Sequence, residues 1–297
     1  TATELNQTAG TGTTTFSGIV NTDGANGIDL TGTNFSFNGA VTTTNAGDVD
    51  VTNSGQLTIA SAADMTLDGY FLQDGGGTVS TGGDITTTGD NITFTDPTTL
   101  TDDIALSTGA GAGNISFLST LDGTTAGQED LGLTAGAGNV AFGGVVGGTT
   151  RLGAVTINSA ADVTAGAAVS ALSITQAAGT GTTTFNGPVD TDGAAGIDLT
   201  GNAVTINGTV TTTNAGDVDI TNAGALTIAA AGDMTLDGYF LQDGAGLVST
   251  AGDITTTDDA ITFTSATTLT GSISLDTGAG AGNISFLSTL DGTTAGT

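Results

Sequence analysis

The stretch GDVDVTNSGQLTIASAADMTLDG, residues 47–69, alternates apolar and polar positions in three short runs separated by small residues. In Asp48-Val49-Asp50-Val51 the valines point one way and the aspartates the other, because successive side chains of a strand leave opposite faces. Leu57 with Ile59 and Met65 with Leu67 repeat the arrangement a few residues on. Working outward, Ile28 with Leu30, Ile92 with Phe94 and Ile115 with Phe117 do the same. Each run is too short to bury its apolar side alone, so runs of this kind must stack.

Composition agrees with strands. Gly is 50 and Thr 64 of 297 residues, while Lys is absent and Glu occurs only at Glu4 and Glu129, which disfavours helix. Thr, Val, Ile and Phe in alternating runs favour strand. The formal charge is -29, but mean hydropathy is +0.20, so the low hydropathy that accompanies disorder is missing.

Strand signals open at Gly27, Gly47, Asp64, Gly83, Asp103, Asp130, Gly153, Ala171 and again at Gly196, spaced 17 to 27 residues apart. Above this period lies a longer one. TGTTTF at residues 11–16 returns at 180–185, and GAGAGNISFLSTLDGTTAG at 109–127 returns at 278–296, each 169 residues later. Residues 8–127 align with 177–296 without a gap, with 27 differences in 120 positions, and residues 128–176 are the remainder of the first unit. Phe35, Phe37 and Val51 become Val204, Ile206 and Ile220, so inward positions stay apolar. Gln56, Asp96 and Asp103 become Ala225, Ser265 and Ser272, as a loosely specified surface allows. The chain is expected to be all-β: one continuous parallel β-helix, or β-solenoid, of about 14 turns of roughly 21 residues with two to three short strands per turn.

Residues 152–174 (LGAVTINSAADVTAGAAVSALSI) and 40–69 resemble the repeats of filamentous-haemagglutinin-type giant bacterial surface proteins. The resemblance implies a right-handed solenoid, a secreted, extracellular or cell-surface location, and a structural or adhesive role.

Several function classes are closed. With no Cys and no His there is no disulfide framework, thiol catalysis, Cys/His zinc site or Ser-His-Asp triad. Arg151 is the single basic side chain, which argues against nucleic acid as a partner. It is expected as a lone surface charge near an acidic neighbour. No apolar run is long enough to insert in a membrane, and residues 1–10 lack the marks of a secretion signal.

The most pointed motif is NTDGANGID at 21–29, with its copy DTDGAAGID at 190–198. Oxygen ligands two residues apart, then Gly, then a further Asp, resemble a calcium turn, since Ca²⁺ takes oxygen ligands from a flexible loop. The candidate ligands are Asn21, Asp23 and Asp29, and Asp190, Asp192 and Asp198 in the copy; the alternative is an Asp-Gly turn beside a solvated strand edge. No cofactor is required, and Ca²⁺ is the one candidate. Asp48 with Asp50 and Asp217 with Asp219 place carboxylates ~6.6 Å apart along a strand, at the low end of the ~6.5–9.5 Å of inverting glycosidases. No partner cleft, aromatic sugar platform or neighbouring base can be read around them in the sequence, and a hydrated acidic surface is the competing role. Tyr70-Phe71, repeated at Tyr239-Phe240, breaks the alternation, so one ring must face out or pack at a corner.

The expectation is a non-catalytic structural segment of an extracellular bacterial filament or stalk, whose partners are copies of itself. The second reading is an adhesin module that recognises glycans or cell surfaces, stabilised by calcium at its Asp-Gly turns. A polysaccharide-cleaving enzyme is a third, against which duplication of the unit argues.

Overall fold

A computed structural model describes residues 1–293; residues 294–297, where the second copy of the repeat closes, lie outside it. Among the described residues every element is a strand and every strand pairing is parallel. With no helix present, none is long and apolar enough to cross a membrane. The described residues divide into two compact units, one comprising residues 1–153 and 158–161, the other residues 154–157 and those from 162 to 293.

In the first unit each turn carries three strands on three faces. The first face stacks Leu5–Gln7, Ile28–Gly32, Val49–Asn53, Phe71–Asp74, Ile92–Phe94, Ile115–Phe117 and Val140–Phe142. The second stacks Thr13–Phe16, Asn34–Phe37, Gln56–Ile59, Thr78–Thr81, Thr98–Leu100 and Leu121–Asp122. The third stacks Val20–Thr22, Val41–Thr43, Met65–Leu67, Ile85–Thr87, Ile104–Ser107 and Leu131–Thr134. The unit is thus a parallel β-solenoid seven layers deep. The second unit is built alike: Val163–Ala165, Thr182–Phe185, Ala203–Ile206, Leu226–Ile228, Val248–Thr250, Thr267–Leu269 and Leu290–Gly292 form one seven-layer face. There the long strand Val169–Gln176 turns a corner, pairing with Val189–Thr191 through Val169 and with Ile197–Gly201 through Ile174. Together the layers match the expected count of about 14 turns.

The stacking corrects one expectation. The signals at Gly27 and Gly47 belong to the first face of their unit, whereas those at Asp64, Gly83, Asp103 and Asp130 belong to the third. The spacing of 17 between Gly47 and Asp64 therefore steps from one face to another and is not a turn. Along the first face the partners Leu5, Ile28, Val49, Phe71, Ile92, Ile115 and Val140 succeed one another at 21 to 25 residues. Periodicity alone does not separate faces that carry the same alternation.

Inward positions make a closed core: Ile28, Leu30, Phe35, Phe37, Val49, Val51, Leu57, Ile59, Met65 and Leu67 are buried, as are Val204, Ile206 and Ile220. Parallel register puts like over like, so Phe94 stacks on Phe117 at 5.1 Å and Phe117 on Phe142 at 5.9 Å between ring centroids. In the second unit Phe263 stacks on Phe286 at 5.1 Å. Aromatic pairs at such offsets add to plain area burial.

Candidate functional site

Corners between faces hold a recurring set of aspartates and asparagines, and the structure gives many of them a bond to the next layer. Aspartate or asparagine precedes the first inward residue of many strands. Its side-chain oxygen accepts a backbone N–H one turn on: Asp48 from Tyr70 (3.0 Å), Asp64 from Asp84 (3.0 Å), Asp84 from Ala105 (2.7 Å) and Asp103 from Asp130 (2.9 Å). Asn91 and Asn114 continue the pattern, accepting from Asn114 and Asn139 at 2.8 Å each. In the second unit Asp217 accepts from Tyr239, Asp233 from Asp253 and Asp253 from Ser274. These amides sit where the chain turns the corner and the strand ladder lapses, so the side chain supplies the acceptor the backbone lacks.

Sequence reading missed this ladder. The signal was present as the repeated Asp or Asn immediately before Val49, Met65, Ile85, Ile92, Ile104, Ile115, Leu131 and Val140.

The calcium candidates are spread across two faces. Asn21 is an exposed residue of Val20–Thr22 on the third face; Asp23 follows in the corner, where its carbonyl accepts the Asn45 amide at 2.7 Å. Asp29 projects outward from Ile28–Gly32 on the first face and lies in register with Asp50. In the second unit Asp190 lies on Val189–Thr191, Asp192 follows in the corner with its carbonyl accepting from Asn214 at 2.5 Å, and Asp198 faces Asp219. Among the described residues no three His, Cys, Asp or Glu side chains converge in metal-binding geometry.

The motif has another explanation in Gly27. It adopts φ +55°, and a Cβ there would lie 2.0 Å from the Asp48 carbonyl oxygen, which accepts the Ile28 amide at 2.8 Å. Gly196 repeats both the φ of +55° and the approach, at 2.1 Å to the Asp217 oxygen. The glycine lets one layer lie directly on the next.

The structure does bring one set of side chains together. Glu4, Asn26, Asp29, Asp48, Asp50 and Tyr70 line a cleft of about 350 Å³ on the first face. Asn26 donates to Glu4 at 2.6 Å. Partial burial pushes the Asp50 carboxyl above its ordinary range, and the neighbouring Asp74, Asp29 and Asp48 push the same way. Asp219 is raised by burial and then by Asp243, Asp198 and Asp217. Burial also raises Asp48, against the bond from the Tyr70 amide, with Asp90 adding repulsion. Tyr70 is raised by burial, then by Asp48, Asp50 and Asp29, so its phenol stays neutral and can donate. Asp48 is therefore a corner acceptor, and Asp50 stands on the acidic outer row.

Tyr70 is the half-buried ring of the Tyr70-Phe71 pair, at the corner, and Phe71 is 0% exposed in the core. Arg151, expected on the surface, is half-buried at a corner, with its carbonyl accepting the Gly127 amide at 2.9 Å. Inside another corner, Gln73 donates to Asn53 at 2.9 Å and to Asp96 at 2.7 Å, and Asn53 donates to the Gly55 carbonyl at 2.7 Å. Gln242 and Asn222 repeat the first of these bonds at 2.8 Å.

Fold and corners together define a parallel β-solenoid repeat protein. Comparison with protein-family models, with curated proteins and with solved structures finds no match.

Proposed function

We propose that this chain is a structural, non-catalytic segment of an extracellular bacterial filament or surface stalk, of the filamentous-haemagglutinin type its repeats resemble. The observation that carries the reading is the use made of the polar residues. Asp48, Asp64, Asp84, Asn91, Asp103 and Asn114 are engaged between layers, and the same duty recurs at Asp217, Asp233 and Asp253. A chain whose carboxylates hold layers together, and do so in both copies of a 169-residue repeat, is organised for extension. The net charge of -29 keeps such segments apart laterally, and divalent cations such as Ca²⁺ would act by screening that charge rather than as a required cofactor.

A second reading rests on the cleft beside Tyr70. A neutral phenol next to carboxylate acceptors suits a sugar, and its main residues recur as Asp198, Asp217, Asp219 and Tyr239. This is the adhesin alternative. Protease treatment of intact producing cells tests the location: the structural reading expects the protein to be removed from the cell surface, and full protection inside the cell contradicts it. A glycan array separates the two readings, since binding that is lost in Tyr70→Ala with Tyr239→Ala favours the adhesin. Release of reducing sugar ends would overturn both.

A further inference from the structure

Four asparagines are followed by glycine, at residues 26–27, 38–39, 186–187 and 207–208. An Asn-Gly step can close on itself. The glycine backbone nitrogen attacks the asparagine side-chain carbonyl carbon, and their proximity within one chain favours the five-membered ring. Three conditions govern the attack: a glycine N–H without a partner, a polarised side-chain carbonyl, and a side-chain nitrogen at liberty to leave. The structure sorts the four steps by these conditions.

Asn38 meets all three. It is exposed just after the strand Asn34–Phe37, and its Oδ1 accepts the Ser36 hydroxyl at 3.0 Å. The Gly39 amide has no hydrogen-bond partner among the described residues. Asn186, exposed after Thr182–Phe185, is placed alike. Its Oδ1 accepts the Asn207 side-chain N–H at 2.9 Å, and the Gly187 amide has no partner among the described residues. That same bond engages the Asn207 nitrogen as a donor, and Gly208 is buried. Asn26 is blocked twice. Its Nδ2 donates to Glu4 at 2.6 Å, which returns electron density to the amide, and the Gly27 N–H donates to the Gly24 carbonyl at 3.0 Å.

We propose that Asn38 and Asn186 are sites of spontaneous covalent modification, converting to aspartate and isoaspartate through a succinimide, while Asn26 and Asn207 stay intact. The Gly39 nitrogen loses its proton to solvent and bonds to Asn38 Cγ, and the Ser36 hydroxyl stabilises the charge that gathers on Oδ1. The Cγ–Nδ2 bond then breaks, and the nitrogen takes a proton from solvent and leaves as ammonia. Water adds to either imide carbonyl and opens the ring. Each conversion thus consumes a water, releases an ammonia and adds a carboxylate. The isoaspartate route also lengthens the main chain where layers lie close, since a Cβ at Gly39 would be 2.8 Å from the Gly18 carbonyl carbon. This inference is independent of where the protein resides or whether it forms filaments.

The test incubates the full chain in neutral buffer and follows the four asparagines by peptide mapping, reading the amide-to-acid mass change and isoaspartate. Asn38 and Asn186 should convert at least ~10-fold faster than Asn26 and Asn207. In urea the four rates should fall within ~3-fold of one another, because the same dipeptide then governs them all. Ser36→Ala should slow Asn38 by ~3–10-fold and leave Asn186 unchanged, whereas Asn207→Ala should slow Asn186 and leave Asn38 unchanged. The unchanged site in each variant reports that the fold is kept. Four equal rates in the folded chain, or an Asn38 rate indifferent to Ser36→Ala, would overturn the proposal. So would a ranking that persists in urea, which would assign it to local sequence and not to the fold.

Discussion

Gly27 shows how little freedom a layer of this chain leaves to a single residue. With φ at +55° and the Asp48 oxygen 2.0 Å from where a Cβ would sit, Gly27→Ala requires the next layer to move. The substitution should lower unfolding free energy by at least about 2 kcal/mol, read from a urea melt. Ala46 presents the opposite case. It occupies a left-handed position with φ +60° between Asn45 and Gly47, and its amide donates to Asp68 at 2.8 Å. Ala46→Gly keeps that bond and relieves the Cβ, so it should stabilise by about 1 kcal/mol in the same melt. An unchanged or lower midpoint would contradict the turn geometry.

Charge at the residue scale has a pH signature. Asp48, Asp50, Asp217 and Asp219 have pKa values raised in the folded protein by burial and by neighbouring carboxylates. Across the window between their unfolded and folded pKa values the native state holds more protons, so their contribution to stability falls as pH rises through it. These residues should therefore give a higher melting temperature just above pH 4 than at pH 7. Asp50→Asn with Asp219→Asn should raise the pH 7 value and flatten that slope. Equal slopes in variant and parent would mean the acidic row carries no strain.

Among the elements, the stacked phenylalanines and the internal amides do different work. Phe117 lies between Phe94 and Phe142, so Phe117→Ala opens a void in three consecutive layers and should cost about 3–5 kcal/mol by urea unfolding. Asn53→Ala removes donors to the Gly55 and Thr78 carbonyls and an acceptor for Gln73. Leaving those buried groups unmatched should cost about 1–3 kcal/mol, and a neutral result would remove the amide ladder from the account. This is also the scale at which the sequence was most and least readable. Alternation at Val49 and Val51, at Leu57 and Ile59 and at Met65 and Leu67 revealed strands and their inward sides, and the copies Val204, Ile206 and Ile220 agreed. Which strand lies on which was hidden, because Asp48-Val49 and Asp64-Met65 look alike in one dimension and fall on different faces. The corner acceptors stayed hidden for a related reason. An aspartate bonded to an amide 22 residues away, as Asp48 is to Tyr70, has the same local sequence as a hydrated one. The candidate Asn21, Asp23 and Asp29 likewise looked close along the chain, whereas register pairs Asp29 with Asp50.

For the whole molecule, the account is that a 169-residue repeat builds units whose polar residues hold layers together and whose charge keeps segments apart. Its central claim is that this chain belongs to a filament, and the most direct measurement is electron cryo-microscopy of the protein on its native producing cells. The account predicts long, thin filaments with layers spaced ~4.8 Å along their axis. Discrete short particles with closed ends, whatever their internal spacing, would contradict it.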